Sequence, residues 1–372
     1  MNTQYSRREA LAGAGTLFVF GGASNTARAQ SQTAPPVFTD AATLPMIGRA
    51  FPDRPSGWHR IAPGSYPDLP AAVKSRLTNP AGLALSFTTN SPMIAARWCT
   101  ADAKQSANMA PIAERGLDLY IRRGATWLWA GVARPGDGKV CNDENLVLNM
   151  DDSEKECLLY LPLYSELKSL EIGVAPGSSL KGAANPFRKR LALYGSSIVQ
   201  GASASRPGMA YPAQLSRHLG LEVINLGVSG SARMEPAAAQ LVADVDADAY
   251  MLDCVPNSSP EQIAQRAGNL IRTVRSRRPD APIIIVMSII RDLTHFNRVW
   301  AENMAKQNAT MLAEVNKLTG IKGLTVIPAD ELLGHDGEAS VDGTHPSDLG
   351  FNRMLRVIEP TVASVLKQNG IL

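Results

Sequence analysis

The chain has 372 residues, 45% of them hydrophobic and 19% charged, which describes a globular protein long enough for two domains. Its 37 basic and 34 acidic residues leave a net charge of +3, and no dense Lys/Arg run occurs. That balance excludes the electrostatic footprint of a nucleic-acid partner.

In chain order, residues 1–29 read as a targeting segment. Arg7 and Arg8 precede an apolar, Gly/Ala-rich run that closes on Ala27-Arg28-Ala29, the pattern of a twin-arginine signal with its cleavage site. The run is shorter and less apolar than the roughly 20 residues that span a bilayer. The expectation is an exported, periplasmic protein with no membrane span in its mature form. Residues 30–43, rich in Ala, Pro, Thr and Ser, read as a linker.

From 44 to 186, short apolar runs at 82–87, 94–98, 117–121, 126–130, 157–161 and 170–174 are separated by Gly, Pro, Asn and Asp. Several alternate with period two, as strands with one buried face do. The expectation is an all-β, jelly-roll-like sandwich domain, with Trp127 and Trp129 packing within it rather than forming a sugar platform.

From 187 the pattern changes. Buried-strand candidates at 191–194, 222–226, 249–254, 283–287 and 324–327 alternate with helical stretches at 210–219, 235–242, 260–278, 297–319 and 347–367. This predicts an α/β domain over 187–372, a parallel sheet with helices on both faces. Of the four cysteines, Cys141 with Cys157 is the expected disulfide pair, and no Cys or His spacing points to zinc. No metal or other cofactor is implied.

Open α/β sheets place their sites beyond the carboxyl ends of the strands. Those ends carry Gly195-Ser196-Ser197, the turn Asn225-Leu226-Gly227-Val228-Ser229-Gly230, Asp253-Cys254-Val255-Pro256-Asn257, and Val341-Asp342-Gly343-Thr344-His345. One sheet edge therefore collects a hydroxyl, backbone N–H donors, an amide, a carboxylate and an imidazole. A serine hydroxyl needs a base, and His345 is the histidine placed to serve. Asp342 can hold its other ring nitrogen. Ser197 N–H, Gly230 N–H and the Asn257 amide can receive an oxyanion.

These four blocks resemble those of the SGNH (GDSL) hydrolase family. Ser197 matches the nucleophile, Gly230 and Asn257 the second- and third-block positions, and Asp342 with His345 the Asp-x-x-His block. Gly116-Leu117-Asp118-Leu119-Tyr120 resembles the Gly-x-Asp-Leu-Tyr signature of a subgroup with an N-terminal β-domain. Two departures stand out: Ser196 replaces the aspartate before the nucleophile, and Pro256-Asn257 replaces the usual third block. The resemblance implies a flavodoxin-like, three-layer α/β/α domain preceded by the sandwich. It implies a serine esterase acting through an acyl-serine on small acyl esters, expected to be acetyl groups on carbohydrate. The rival readings are an acyltransferase with an alcohol acceptor and a non-catalytic glycan-binding protein. Arg206 and His295 are candidate substrate contacts by loop position; Asp118 reads as a structural hydrogen-bond acceptor. His59, His218 and His335 have no assigned role.

Overall fold

The structure, a computed structural model, describes residues 34–62 and 64–372; the expected signal segment lies outside them. Residues Pro35–Leu372 form one compact unit. No helix among the described residues is long and apolar enough to cross a membrane.

The first half is built from antiparallel strands in two sheets. One has four strands in the order β1 (Val37–Asp40), β9 (Leu167–Val174), β4 (Ile94–Thr100) and β7 (Cys141–Val147). The other orders β10 (Leu180–Gly182), β3 (Ala84–Thr89), β8 (Lys155–Tyr160), β5 (Leu117–Arg123) and β6 (Thr126–Ala133), with β2 (Met46–Ile47) beside β3. Their facing side chains form one core of Leu83, Leu85, Phe87, Ile94, Trp98, Leu119, Leu159 and Ile172. Alternation along each strand puts these residues on the inner faces.

Two readings need correction. Val37–Asp40, inside the expected linker, is an edge strand paired in register with β9. The disulfide joins Cys99 to Cys141, not Cys141 to Cys157. Cys99 and Cys141 sit directly opposite each other across β4 and β7, with Cα atoms 4.1 Å apart. Cys157 lies on β8 of the other sheet, where burial pushes its thiol up to about 12.

The second half is a five-stranded parallel sheet ordered β12 (Leu221–Gly227), β11 (Lys189–Gly195), β13 (Ala249–Asp253), β14 (Ile283–Val286) and β15 (Leu324–Ile327). β11 to β14 are buried on both faces over most of their length and the edge strand β15 is half-buried, so the strands read as largely apolar runs. Leu191, Leu193, Met251 and Ile284 face α3 (Ser197–Gln200), α4 (Tyr211–Leu219) and α8 (Asp348–Gln368). Ala192, Tyr194, Leu252 and Ile285 face α5 (Pro236–Asp244), α6 (Pro260–Arg277) and α7 (Arg298–Asn316).

The two halves interlock. Between β2 and β3 the chain leaves the antiparallel sheets, and α1 (Ala71–Leu77) lays Val73 and Leu77, with Ala50, Ile61 and Leu69, into the core of the parallel sheet. The β4–β5 connection, including α2 (Pro111–Arg115), sends Met109 and Ala113 into the opposite core layer. Both connections border the carboxyl edge of the parallel sheet.

Candidate active site

The strand-to-helix turn between β11 and α3 sets Ser197. Ser196 is the N-cap, its side chain accepting from Ile198 N at 3.2 Å, so Ser197 opens the helix with its N–H unspent. Gly195 is required by packing: a Cβ there would come within 2.3 Å of the Val199 side chain and 2.4 Å of Asp253 O. Only glycine lets helix and strand approach this closely.

Ser197 is 7% exposed, and its Oγ lies 3.0 Å from His345 Nε2. His345 Nδ1 is 2.8 Å from Asp342 Oδ2, and the other Asp342 oxygen accepts from the backbone N–H groups of His345 at 2.8 Å and Thr344 at 3.0 Å. Burial alone would raise the Asp342 carboxyl; hydrogen bonds from the His345 ring and backbone and from Thr344 hold it below its ordinary value. The carboxylate thus stays charged and fixes the proton on Nδ1, leaving Nε2 as an acceptor toward Ser197.

Gly230 sits at φ +69° at the tip of the turn after β12, the left-handed region that disfavours side chains even where space is open. Asn257 Oδ1 accepts from Ala232 N at 3.4 Å, which sets the amide despite the altered block. Among the described residues, Ser197 N, Gly230 N and Asn257 Nδ2 meet no protein acceptor. The structure therefore brings Ser197, Asp342 and His345 into one hydrogen-bonded chain and leaves three donors unspent on the loops around it.

Arg206 and His295 are placed elsewhere. The Arg206 guanidinium donates to Asp118 Oδ2 at 2.8 Å and Tyr120 Oη at 2.5 Å, and it lies 5.5 Å from the Trp129 ring. Asp118 is fully buried, and its Oδ2 also accepts from Gly208 N at 2.8 Å. The Gly-x-Asp-Leu-Tyr segment on β5 is thus a clasp on the 205–209 loop, and Arg206 is occupied as its cation. His295 is exposed at the end of a 3-10 turn, Asp292–His295, that braces the Asp342 loop through Leu293 N to Gly343 O at 3.0 Å and Ser340 Oγ to Asp292 at 2.6 Å.

One participant was missed. Asn108, on the β4–α2 connection, donates from Nδ2 to Asp342 Oδ2 at 3.0 Å and stands 3.2 Å from His345 Nδ1. Ser203 Oγ in turn donates to Asn108 O at 2.8 Å. Nothing in the local pattern Ser-Ala-Asn-Met marks this asparagine; its partner lies 234 residues away.

A cleft of about 470 Å³ opens beside His345, Ser229 and Ala202, walled by both connections from the first half. Its lining is mostly polar, including Arg76, Asn79, Lys104, Asn108, Glu114 and Glu166. A larger concavity, about 780 Å³, lies on the outer four-stranded sheet around Arg97, Cys141 and Asp143 and contains none of these site residues.

Residues 188–363 match the model of the GDSL-like lipase/acylhydrolase family, and residues 37–180 match that of the Gly-x-Asp-Leu-Tyr N-terminal region of SGNH-type esterases. A GDSL-like lipase structure from Bacteroides ovatus ATCC 8483 is 48% identical, with a TM-score of 0.86, over 89% of this chain and 98% of that one. The chain belongs to the GDSL (SGNH) hydrolase family. With that it joins the carboxylic ester hydrolases. The whole two-part fold recurs in the salicylyl-acyltransferase SsfX3 of a tetracycline biosynthetic pathway, at 18% identity and TM-score 0.72, over 91% of this chain and 98% of that one. A family two carbohydrate esterase from Clostridium thermocellum, solved with cellohexaose, is 14% identical with TM-score 0.56, over 78% and 94%. No curated protein matches the chain.

Proposed function

We propose that this SGNH hydrolase removes small acyl groups, acetyl foremost, from hydroxyls of carbohydrates. The observation that carries the reading is the Ser197–His345–Asp342 chain, with contacts of 3.0 and 2.8 Å opening on a polar cleft. Ser197 Oγ attacks the ester carbonyl carbon while His345 Nε2 takes its proton. The carbonyl oxygen becomes an oxyanion received by Ser197 N, Gly230 N and Asn257 Nδ2, each such donor contributing about 3 kcal/mol. The tetrahedral adduct collapses as His345 returns the proton to the departing sugar oxygen, leaving acyl-Ser197. Water then attacks the acyl carbon, His345 takes its proton, and the acid leaves with Ser197 restored.

The cleft lining supports a small acyl group on a polar alcohol. Among the described residues that line it, Met109 and Tyr164 are the only large side chains with apolar bodies, too few to bury a long acyl chain. The carbohydrate esterase that shares the fold, solved with cellohexaose, agrees in substrate class. A panel of p-nitrophenyl esters from acetyl to long acyl, beside acetylated saccharides, tests the reading. The expected result is free acetate from the saccharides and a sharp fall with acyl length. Cleavage confined to long acyl chains, or product formed only with an added alcohol acceptor, would contradict it.

A further inference from the structure

The turn carrying Gly230 rests on a cation without a counterion. Arg60 is 1% exposed, and its guanidinium donates to four carbonyl oxygens: Asn79 at 2.9 Å, Asn225 at 3.0 Å, Gly227 at 2.6 Å and Arg76 at 2.5 Å. No ion pair of Arg60 occurs among the described residues. Burial pushes its pKa down to about 9, which still leaves it charged at neutral pH. A buried charge without an opposite partner is expensive, and this one lies directly beneath the Asn225–Gly230 turn.

Arg76, in the last turn of α1, lines the cleft and likewise has no ion pair among the described residues. The charges of both arginines fall on Tyr164, opposed there by the charge of Glu114, and its hydroxyl lies 3.3 Å from Ser197 O. Burial nevertheless pushes that phenol up to about 12, so it stays neutral and cancels neither charge.

Of the carboxylates lining the cleft, Glu166 alone has an ion pair among the described residues. Glu114 accepts from Ser106 N at 2.8 Å and Ser106 Oγ at 2.6 Å. Glu166 contacts His59 at 2.9 Å and Lys168 at 2.7 Å. Asp102 accepts from Lys104 N at 3.0 Å, while the Lys104 ammonium at the cleft mouth has no ion pair among the described residues. Glu114 and Asp102 therefore keep their charge, but Arg60, Arg76 and Lys104 outnumber them, and the wall holding the two arginines keeps an excess of positive charge that favours an anionic ligand.

We propose that this part of the cleft is an anion subsite, with Arg76 as the direct contact and Arg60 as the fixed charge beneath it. The esters it favours carry a carboxylate on the alcohol portion, as an acylated acidic sugar does. This rests on the ester-hydrolase reading above and narrows it from carbohydrate in general to acidic carbohydrate. A neutral sugar would leave the Arg76 guanidinium to water, whereas a carboxylate can take two of its N–H donors at once.

The test compares acetate release from a triacetylated methyl glucuronide with that from its neutral uronamide, at low and high salt, in wild type, Arg76→Gln and Arg76→Lys. Wild type should favour the carboxylate by roughly five- to tenfold in kcat/KM, through its lower KM, and salt should erode the preference. Arg76→Gln should abolish the preference and Arg76→Lys should keep part of it. Equal rates on the two sugars, or a preference that survives Arg76→Gln, would overturn the subsite. So would failure on both sugars while p-nitrophenyl acetate is still cleaved. Failure on p-nitrophenyl acetate as well would instead remove the esterase reading beneath it.

Discussion

Asn108→Asp is the substitution that probes the site most sharply. The amide it replaces donates to the same Asp342 oxygen that holds the His345 ring, and its nitrogen stands 3.2 Å from Nδ1. A carboxylate there would favour the imidazolium. At 3.2 Å a pair of unit charges interacts by about 1 kcal/mol in water and about 5 kcal/mol at an effective dielectric of about 20. Asn108 is half-buried, and the side chains of His345 and Asp342 are 21% and 35% exposed. Water reaches the pair, so the lower figure is the minimum expected, and it favours the imidazolium by the equivalent of about one pH unit. Since Nε2 must be unprotonated to accept the Ser197 proton, the acid limb of kcat/KM should move up by the same amount.

The companion Asn108→Ala removes one hydrogen bond to a charged oxygen, worth about 1.5 kcal/mol at a partly exposed position. That predicts a roughly tenfold lower kcat/KM. Asn108→Ala should melt close to wild type, whereas Asn108→Asp sets two carboxylates about 3.0 Å apart and should melt lower. The assay is the pH dependence of p-nitrophenyl acetate hydrolysis. An acid limb unmoved in folded Asn108→Asp would refute the argument that Asn108 acts on the Asp342–His345 pair.

Two further substitutions test other parts of the account. Arg206→Met leaves the fully buried Asp118 carboxylate with a single backbone donor, so it should cost about 3–5 kcal/mol in urea unfolding; a cost below about 1 kcal/mol would show that the clasp adds nothing to stability. Asp253 is 2% exposed with the Tyr211 hydroxyl at 2.7 Å, and burial pushes its carboxyl up to about 7. The folded state then keeps a proton that the unfolded state has lost between about pH 4 and 7, so stability should fall by roughly 4 kcal/mol as pH rises through that window. Asp253→Asn should flatten the slope, and an unchanged slope would assign it to another group.

Much of this molecule could be read from the residues in order. The five parallel strands are largely apolar runs, and the segments after four of them carry Ser197, Gly230, Asn257, and Asp342 with His345. Ser197, Asp342 and His345 were readable for that reason, because strand ends converge whatever the intervening helices do. β7 was missed because Cys-Asn-Asp-Glu-Asn is polar; only its pairing with β4 makes it a strand, and that pairing sets Cys141 opposite Cys99. Arg206 looked free because its partner Asp118 is 88 residues away on the other half of the molecule. Asn108 and Arg60 went unread for the same reason: their roles arise where the antiparallel half meets the parallel sheet, and no local pattern encodes that contact.

The account stands on Ser197 becoming covalently acylated, and labelling with a serine-reactive fluorophosphonate measures this most directly. Intact-mass analysis should show one adduct per chain, mapped to Ser197, absent from Ser197→Ala and strongly slowed in His345→Ala. A label on any other serine, or ester hydrolysis that persists in purified Ser197→Ala, would contradict it.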